Sequence, residues 1–336
     1  MDGQPEGILW ANAIALAERT REVEWLWQPW LPKGHLTVLA GEPGVGKSAV
    51  ALHLAGAVTG CCLWPDGSAP TGEPAPVLIC DSEGAQAIWS NRIREWGFRP
   101  ELLFFPGADG MGRLMLDDAK ALEGVQARIL GDGVALVVVD SLRCSLPAKV
   151  DENSSAIGSV LTPWADLCRD CNIGLLLVHH FSKAGKDQSR EAHLDRLRGS
   201  SAIAATARSV IAVDRPDAED DRVRLSCVKS NLALLPEPLG LQIGGDGIAW
   251  THDAPRSPRR ESRESRAAEF ITAKLQQTPM LSADLVTQAA EVGISRASLY
   301  RAKDDLAIAI VPDATDPHGR RKLWALPDRA HLQRLS

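Results

Sequence analysis

No run of 18 apolar residues occurs in the 336-residue chain, so a membrane-spanning helix is not expected. Residues Met1 to Glu6 lack a basic segment and a signal-peptide pattern, and the expected location is the cytoplasm. The seven cysteines are odd in number and follow no framework spacing, so a disulfide scaffold is not expected. Cys168 and Cys171 form a single C-x-x-C inside a helical pattern and have no second pair. They read as small buried side chains, and adjacent Cys61 and Cys62 as reduced thiols. No internal repeat is visible. The lack of a zinc cluster or primase motif argues against priming, and the lack of an acceptor-binding motif argues against a kinase.

What is present is a chain long enough for two domains, with 45% hydrophobic residues to build a sizeable core. Its net charge of −6 is unevenly spread. From Arg256 onward 14 Lys and Arg face 10 Asp and Glu, a net +4, which leaves −10 on the rest. A basic tail on an acidic body points to nucleic acid as the partner of the tail; a solvated helical surface is the alternative.

The most specific signal is an apolar strand, Leu36 to Ala40, running into Gly41-Glu42-Pro43-Gly44-Val45-Gly46-Lys47-Ser48, then a helical pattern from Ala49 to Val58. G-x-x-x-x-G-K-S between a strand and a helix is the setting of a P-loop. The glycines let successive backbone N–H groups turn in around phosphate oxygens, and the helix N-terminus adds its positive dipole end. Residues 41–49 are the expected ATP site. Lys47 would reach the β- and γ-phosphates, and the Ser48 hydroxyl would hold Mg²⁺.

Around this motif, residues 34–250 alternate strands and helices. Strands are expected at 35–40, 77–80, 102–105, 134–139, 173–178, 209–213, 222–228 and 240–250. Helices are expected at 47–58, 85–96, 117–130 and 154–171. Repeated units of this kind imply a doubly wound, mostly parallel sheet. Ahead of them, a helical pattern at Leu9–Ala17 is followed by Trp25, Trp27 and Trp30, whose bulk calls for burial beside the P-loop strand or against a neighbouring subunit. Residues 64–76 read as a Pro/Gly-rich surface loop.

Hydrolysis needs more than a phosphate cradle. Asp140 ends the apolar strand 134–139, where an acid points into the crevice beside the nucleotide and can hold a Mg²⁺-bound water. Asp81-Ser82-Glu83 follows strand 77–80, taken as the neighbour of the P-loop strand. Glu83 is the candidate base for the attacking water and Asp81 the second choice. His179 and His180 end strand 173–178, where one of them, His180 in preference, can hydrogen-bond the γ-phosphate. A cation must neutralise charge as that phosphate leaves. Arg208 and Lys229 are the candidates, acting across a subunit interface.

Residues 252–266, with five arginines, Pro255 and Pro258, read as a basic linker. Beyond it come helices at 266–276 and 283–291, a Gly293 turn, a Ser295-started helix carrying Arg296, Arg301 and Lys303, and a hairpin within 308–326. This order reads as a winged helix with DNA as its target; a protein-contact module is the alternative.

In this order the motifs resemble those of the RecA-like hexameric ATPases, most closely the RepA-like replicative helicases of plasmids and related phage ATPases. The likeness covers about residues 30–250. It rests on Trp30 with Leu31-Pro32-Lys33-Gly34, the P-loop 41–48, Asp81-Ser82-Glu83, Asp140, His179-His180-Phe181-Ser182-Lys183, Arg198-Gly199-Ser200-Ser201 with Arg208, and Lys229-x-Asn231. The resemblance implies an α/β fold with a RecA-like core at 31–251. An N-terminal segment at 1–30 would precede it, and the linker and a winged-helix-like domain at 267–336 would follow. It implies a homo-hexameric ring with ATP and Mg²⁺ at subunit interfaces. It makes Glu83 the catalytic acid, Asp140 the Walker-B acid, His180 the γ-phosphate sensor and Arg208 the finger reaching the next site. Loops 143–153 and 183–197 would line a channel for single-stranded DNA, with Lys183, Lys186, Arg190, Arg196 and Arg198 suited to backbone phosphates. The appended tail departs from core-only plasmid helicases and would meet an origin or a replication partner. A DNA translocase is the function this implies. An ATP-switched loader or regulator, and a recombinase-like or defence ATPase, are the alternatives.

Overall fold

Six of the apolar runs pair as parallel strands, because each is covered by helices on both faces. The computed structural model describes residues 11–19, 22–182, 192, 194–199, 201–216, 221–256, 263–313, 315–316 and 321–327. It divides into two units, Met1–Ser257 and Pro258–Ser336. In chain order the first holds α1 (Ala13–Ala17), β1 (Trp25–Trp27), β2 (Leu31–Pro32), β3 (His35–Gly41), α2 (Lys47–Val58), β4 (Val77–Asp81), α3 (Gln86–Glu95) and β5 (Leu103–Phe104). It continues with α4 (Ala119–Asp132), β6 (Leu136–Asp140), α5 (Ile157–Cys171), β7 (Gly174–His180) and α6 (Ser201–Thr206). The strands β8 (Ser209–Asp214), β9 (Val223–Ser230), β10 (Leu239–Ile243) and β11 (Ile248–Thr251) complete it.

Nine strands form one sheet in the order β11-β10-β9-β8-β3-β7-β6-β4-β5. From β8 to β5 all pairings are parallel; from β8 to β11 all are antiparallel. The change of direction follows from chain length. Only eight residues join β8 to β9, too few for a parallel crossover through a helix. Strand β9 accordingly buries alternate residues, Val223, Leu225 and Cys227, whereas β3 is buried along nearly its whole length. The stretch 240–250, expected as one strand, is a hairpin of β10 and β11. Gly247, at φ 144°, supplies the reversal, and the Gly244 N–H donates to the Gly247 carbonyl at 2.8 Å.

On one face of the sheet α2 and α3 pack over Leu39, Leu176 and Val178, and on the other α4, α5 and α6 pack over Val38, Leu175 and Leu177. Helix α2 is buried all round, as its Ala- and Leu-rich sequence requires. The tryptophans join the first of these layers. Trp27 stacks between Trp30 and Trp64 at 4.7 and 5.8 Å, its indole N–H donates to Asp66, and the Trp30 carbonyl accepts from Ser209 Oγ. Cys168 is buried, which pushes its thiol up to about 12, and no group of three His, Cys, Asp or Glu able to hold a metal occurs among the described residues.

The second unit holds α7 (Arg263–Gln277), β12 (Met280–Leu281), α8 (Ser282–Glu291), α9 (Arg296–Asp305), β13 (Ala309–Pro312) and β14 (Lys322–Ala325). Its sheet is antiparallel in the order β12-β14-β13. Ile271, Leu275, Leu285, Leu299 and Trp324 form its core, and Ser295 caps α9 by accepting from the Ser298 N–H.

Candidate functional site

The turn 41–46 between β3 and α2 can be made only by glycine at two points. A Cβ on Gly41 would collide with the Val213 carbonyl, and Gly46, at φ 101°, faces Ile243. Within the turn Lys47 is buried and its Nζ donates to the Gly41 and Glu42 carbonyls at 3.2 and 2.9 Å. Burial lowers its pKa, opposed by the charges of Asp140, Glu83 and Glu42. The lysine is thus folded back over its own loop.

Strand order corrects one expectation. The strand ahead of Glu83, β4, is not the neighbour of β3; β7 and β6 lie between them. Glu83 nevertheless reaches the lysine because the loop after β4 leans across the end of β6. The Ser82 N–H donates to the Asp140 carbonyl at 2.7 Å, and Ser141 Oγ donates to Glu83 Oε1 at 2.6 Å. From there Glu83 Oε1 lies 3.8 Å from His180 Nε2. Burial first, then the Lys47 charge, lowers the His180 pKa, so the ring is neutral near pH 7. Asp81 is committed elsewhere: its two oxygens accept from the Glu83 and Ala85 N–H groups, which shapes the turn into α3.

Asp140 is nearly fully buried. Burial raises its carboxyl to about 6, with Glu83 and Asp81 adding to the shift and a hydrogen bond from Ser48 opposing it. A hydroxyl and a carboxylate in contact, in a pocket that disfavours uncompensated negative charge, are a donor set suited to a hard divalent cation such as Mg²⁺.

His179 does not share this site. Strand alternation turns it to the opposite face of β7, where it is fully buried and its Nε2–H donates to the Arg198 carbonyl at 2.8 Å. Arg196 is also corrected. It is buried, stacked 5.3 Å from the Phe181 ring, and paired with Glu42 at 2.6 Å, so it fastens the segment after β7 to the glycine-rich loop instead of facing solvent. Arg198, half-exposed, pairs with the buried Glu152 at 2.6 Å. Lys183, Lys186 and Arg190 lie outside the described residues.

Arg208 and Lys229 are far from this chain's own glycine-rich loop. The Arg208 N–H bonds to the Leu36 carbonyl, at the start of β3, roughly 16 Å along the strand from Gly41. Lys229 is opposite Val210 on the neighbouring strand, and its ammonium donates to the Ala204 and Ala207 carbonyls at the end of α6. It therefore ties down backbone and does not extend a free charge. In the second unit, Arg296 stacks on Tyr300, and Lys303 is drawn over Trp324 and toward Asp304. Arg301 is exposed on α9.

Sequence reading missed Ser141 as the holder of Glu83, Arg196 as the partner of Glu42, and Arg113, whose Nη2 donates to the Ser82 carbonyl at 2.6 Å. A hydroxyl directly after Asp140 was the only local signal among them.

Residues 5–186 match the family described as AAA domain. The chain belongs to this family. Its core is accordingly a RecA-like P-loop ATPase, with nucleotide binding seated on residues 41–49. Among solved structures it is similar to the KaiC-like protein PH0186 from the hyperthermophilic archaeon Pyrococcus horikoshii OT3. That likeness has 15% identity and a TM-score of 0.49, covering 66% of this chain and 91% of that one. It is also similar to the ATPase domain of a helicase, at 14% identity and a TM-score of 0.49, covering 65% of this chain and 85% of that one. No curated protein matches the chain. No helix among the described residues is long and apolar enough to cross a membrane.

Proposed function

We propose that this ATPase is a ring-forming DNA translocase, a replicative helicase of a plasmid, phage or mobile element that hydrolyses ATP at subunit interfaces and moves along single-stranded DNA. The observation that carries the reading is Glu83, held by Ser141 and facing a neutral His180 beside Lys47. Glu83 has the position to take a proton from the attacking water, and His180 to sense the γ-phosphate. Lys47 would leave its own loop carbonyls for the phosphates, and Ser48 with Asp140 would hold Mg²⁺, whose charge offsets that of the phosphates. Ring formation is supported by Arg208, which cannot reach its own site but is exposed for a neighbour's. Two ion pairs, Arg196 to Glu42 and Arg198 to Glu152, would carry nucleotide-dependent movement of the P-loop into segments read as DNA-facing.

A second reading is favoured by the separate C-terminal unit, whose helices α7 to α9 and three-stranded sheet follow the order of a winged helix. In it the chain is an ATP-switched loader or regulator of replication, with α9 carrying Arg296 and Arg301 to duplex DNA. Strand separation on a forked DNA duplex, with Lys47→Ala as control, tests the two. ATP-dependent separation that needs a free single-stranded tail is the expected result. Hydrolysis without separation would favour the loader.

A further inference from the structure

The residues that place Arg208 also build an apolar surface beside it. Strand β9 ends at Ser230, and the chain returns to β10 through Asn231-Leu232-Ala233-Leu234-Leu235-Pro236-Glu237-Pro238. The first turn of this loop is fixed. The Asn231 N–H donates to the Arg208 carbonyl at 3.0 Å, and Ser230 Oγ accepts from the Leu232 and Ala233 N–H groups at 3.3 and 3.1 Å. Pro236 and Pro238 restrict its second half. At the tip Leu234 is 91% exposed and Leu235 56%, two adjacent leucines on a braced loop with water on their outer sides. Scattered exposed leucines need no explanation, but a pair held out on a loop of low conformational freedom is preorganised for burial.

We propose that the 231–238 loop is an assembly surface for a second copy of this chain. Leu234 and Leu235 bury against the neighbouring subunit and thereby seat Arg208 at that subunit's phosphate site. Charge argues for a second copy as the occupant. Arg208 and Arg169 both act on His35 at this end of the sheet, making it basic, whereas the P-loop end carries Glu42, Glu83 and Asp140. The loop is joined to Arg208 by backbone, so burying the leucines fixes the arginine, and the P-loop end has no Arg208 of its own. The inference rests on the ring reading.

The test measures assembly and turnover of the full chain with Mg²⁺ and a non-hydrolysable ATP analogue, by sedimentation velocity across a concentration series. With Leu234→Ser and Leu235→Ser together, the concentration needed for assembly should rise about tenfold or more. Turnover per subunit should become dependent on protein concentration. Melting temperature and binding of a fluorescent nucleotide by the monomer should stay unchanged. Arg208→Ala should assemble like the native chain and lack turnover. Native assembly by the leucine variant would overturn the surface while leaving the ring reading intact. So would a lowered melting temperature of its monomer, which would place the leucines in the subunit's own core. A native chain that stays monomeric with nucleotide at every concentration would sink the ring reading and this surface with it. Turnover retained by Arg208→Ala, beside a dissociated leucine variant, would remove the arginine's role and with it the seating function proposed here.

Discussion

Ser141 Oγ donates a 2.6 Å hydrogen bond to Glu83 Oε1, joining the end of β6 to the loop after β4. Glu83 is 43% exposed, so without that bond its side chain would have several rotamers open to it. Glu83→Gln should retain nucleotide binding and lose about 10²–10⁴-fold in turnover, the usual contribution of a general base. Ser141→Ala keeps the carboxylate but frees it, so kcat should fall by a smaller factor, about tenfold, with nucleotide affinity unchanged. Steady-state ATPase assays beside equilibrium nucleotide binding check both. Full turnover in Glu83→Gln would remove it as the base.

The buried carboxyl of Asp140 gives the site a pH dependence. Its folded pKa, about 6, lies above the ordinary carboxylate value. For stability the sign follows from burial: the protonated form suits the dry site, so its contribution is fully present below the unfolded pKa and is lost as pH rises through about 6. For function the sign is reversed, because a cation ligand must be ionised. Mg²⁺-dependent turnover should therefore fall as pH drops through about 6, and Asp140→Asn should abolish that titration along with most of the activity. A pH–rate profile at saturating ATP checks this. A flat profile between pH 5 and 7 would contradict it.

Arg196 and Glu42 form a pair in which only the arginine is buried. Breaking a buried pair costs about 3–5 kcal/mol, but solvent around Glu42 screens this one, so Arg196→Ala should cost about 1–3 kcal/mol. Thermal unfolding measures it. If the pair also transmits movement from the P-loop, a charge swap of the two residues should restore stability more fully than DNA-stimulated turnover.

Arg208 lies at the start of β8, beside Leu36, and so must serve a site other than its own if it serves one at all. Arg208→Ala and Glu83→Gln should each be inactive alone. Mixed before assembly, they should regain part of the native turnover, since some interfaces then pair an intact Glu83 with an intact Arg208. No recovery on mixing would argue against sharing of the site.

Much of this was legible in the residues. The strand–loop–helix signature at 36–58 set the nucleotide site, because glycine spacing, a lysine and a helix start are local features. Continuous apolar runs ending in Asp140 and His180 gave buried strands with polar residues at one end. Helix α2 falls at 47–58 as expected, and α3, α4 and α5 within a few residues of their expected limits, since their periodicity and caps are also local. Failures came where chain direction or facing decided the matter. The 240–250 strand folded into a hairpin at Gly244 to Gly247, and His179 turned from the site because neighbours in a strand face opposite ways.

By itself, then, the sequence determined the nucleotide site, the order of strands and helices along the chain, and which of their ends carry acids and histidines. Only the tertiary structure decided that β4 lies two strands away from β3 and that Ser141 carries Glu83 back to Lys47. It alone sent Arg196 inward to Glu42 and held Arg208 at the far end of the sheet. The reason is the range of the interactions. Turns, caps and periodicity act over a few residues, whereas meetings such as Arg196 with Glu42, 154 residues apart, depend on sheet order and register fixed by the core as a whole.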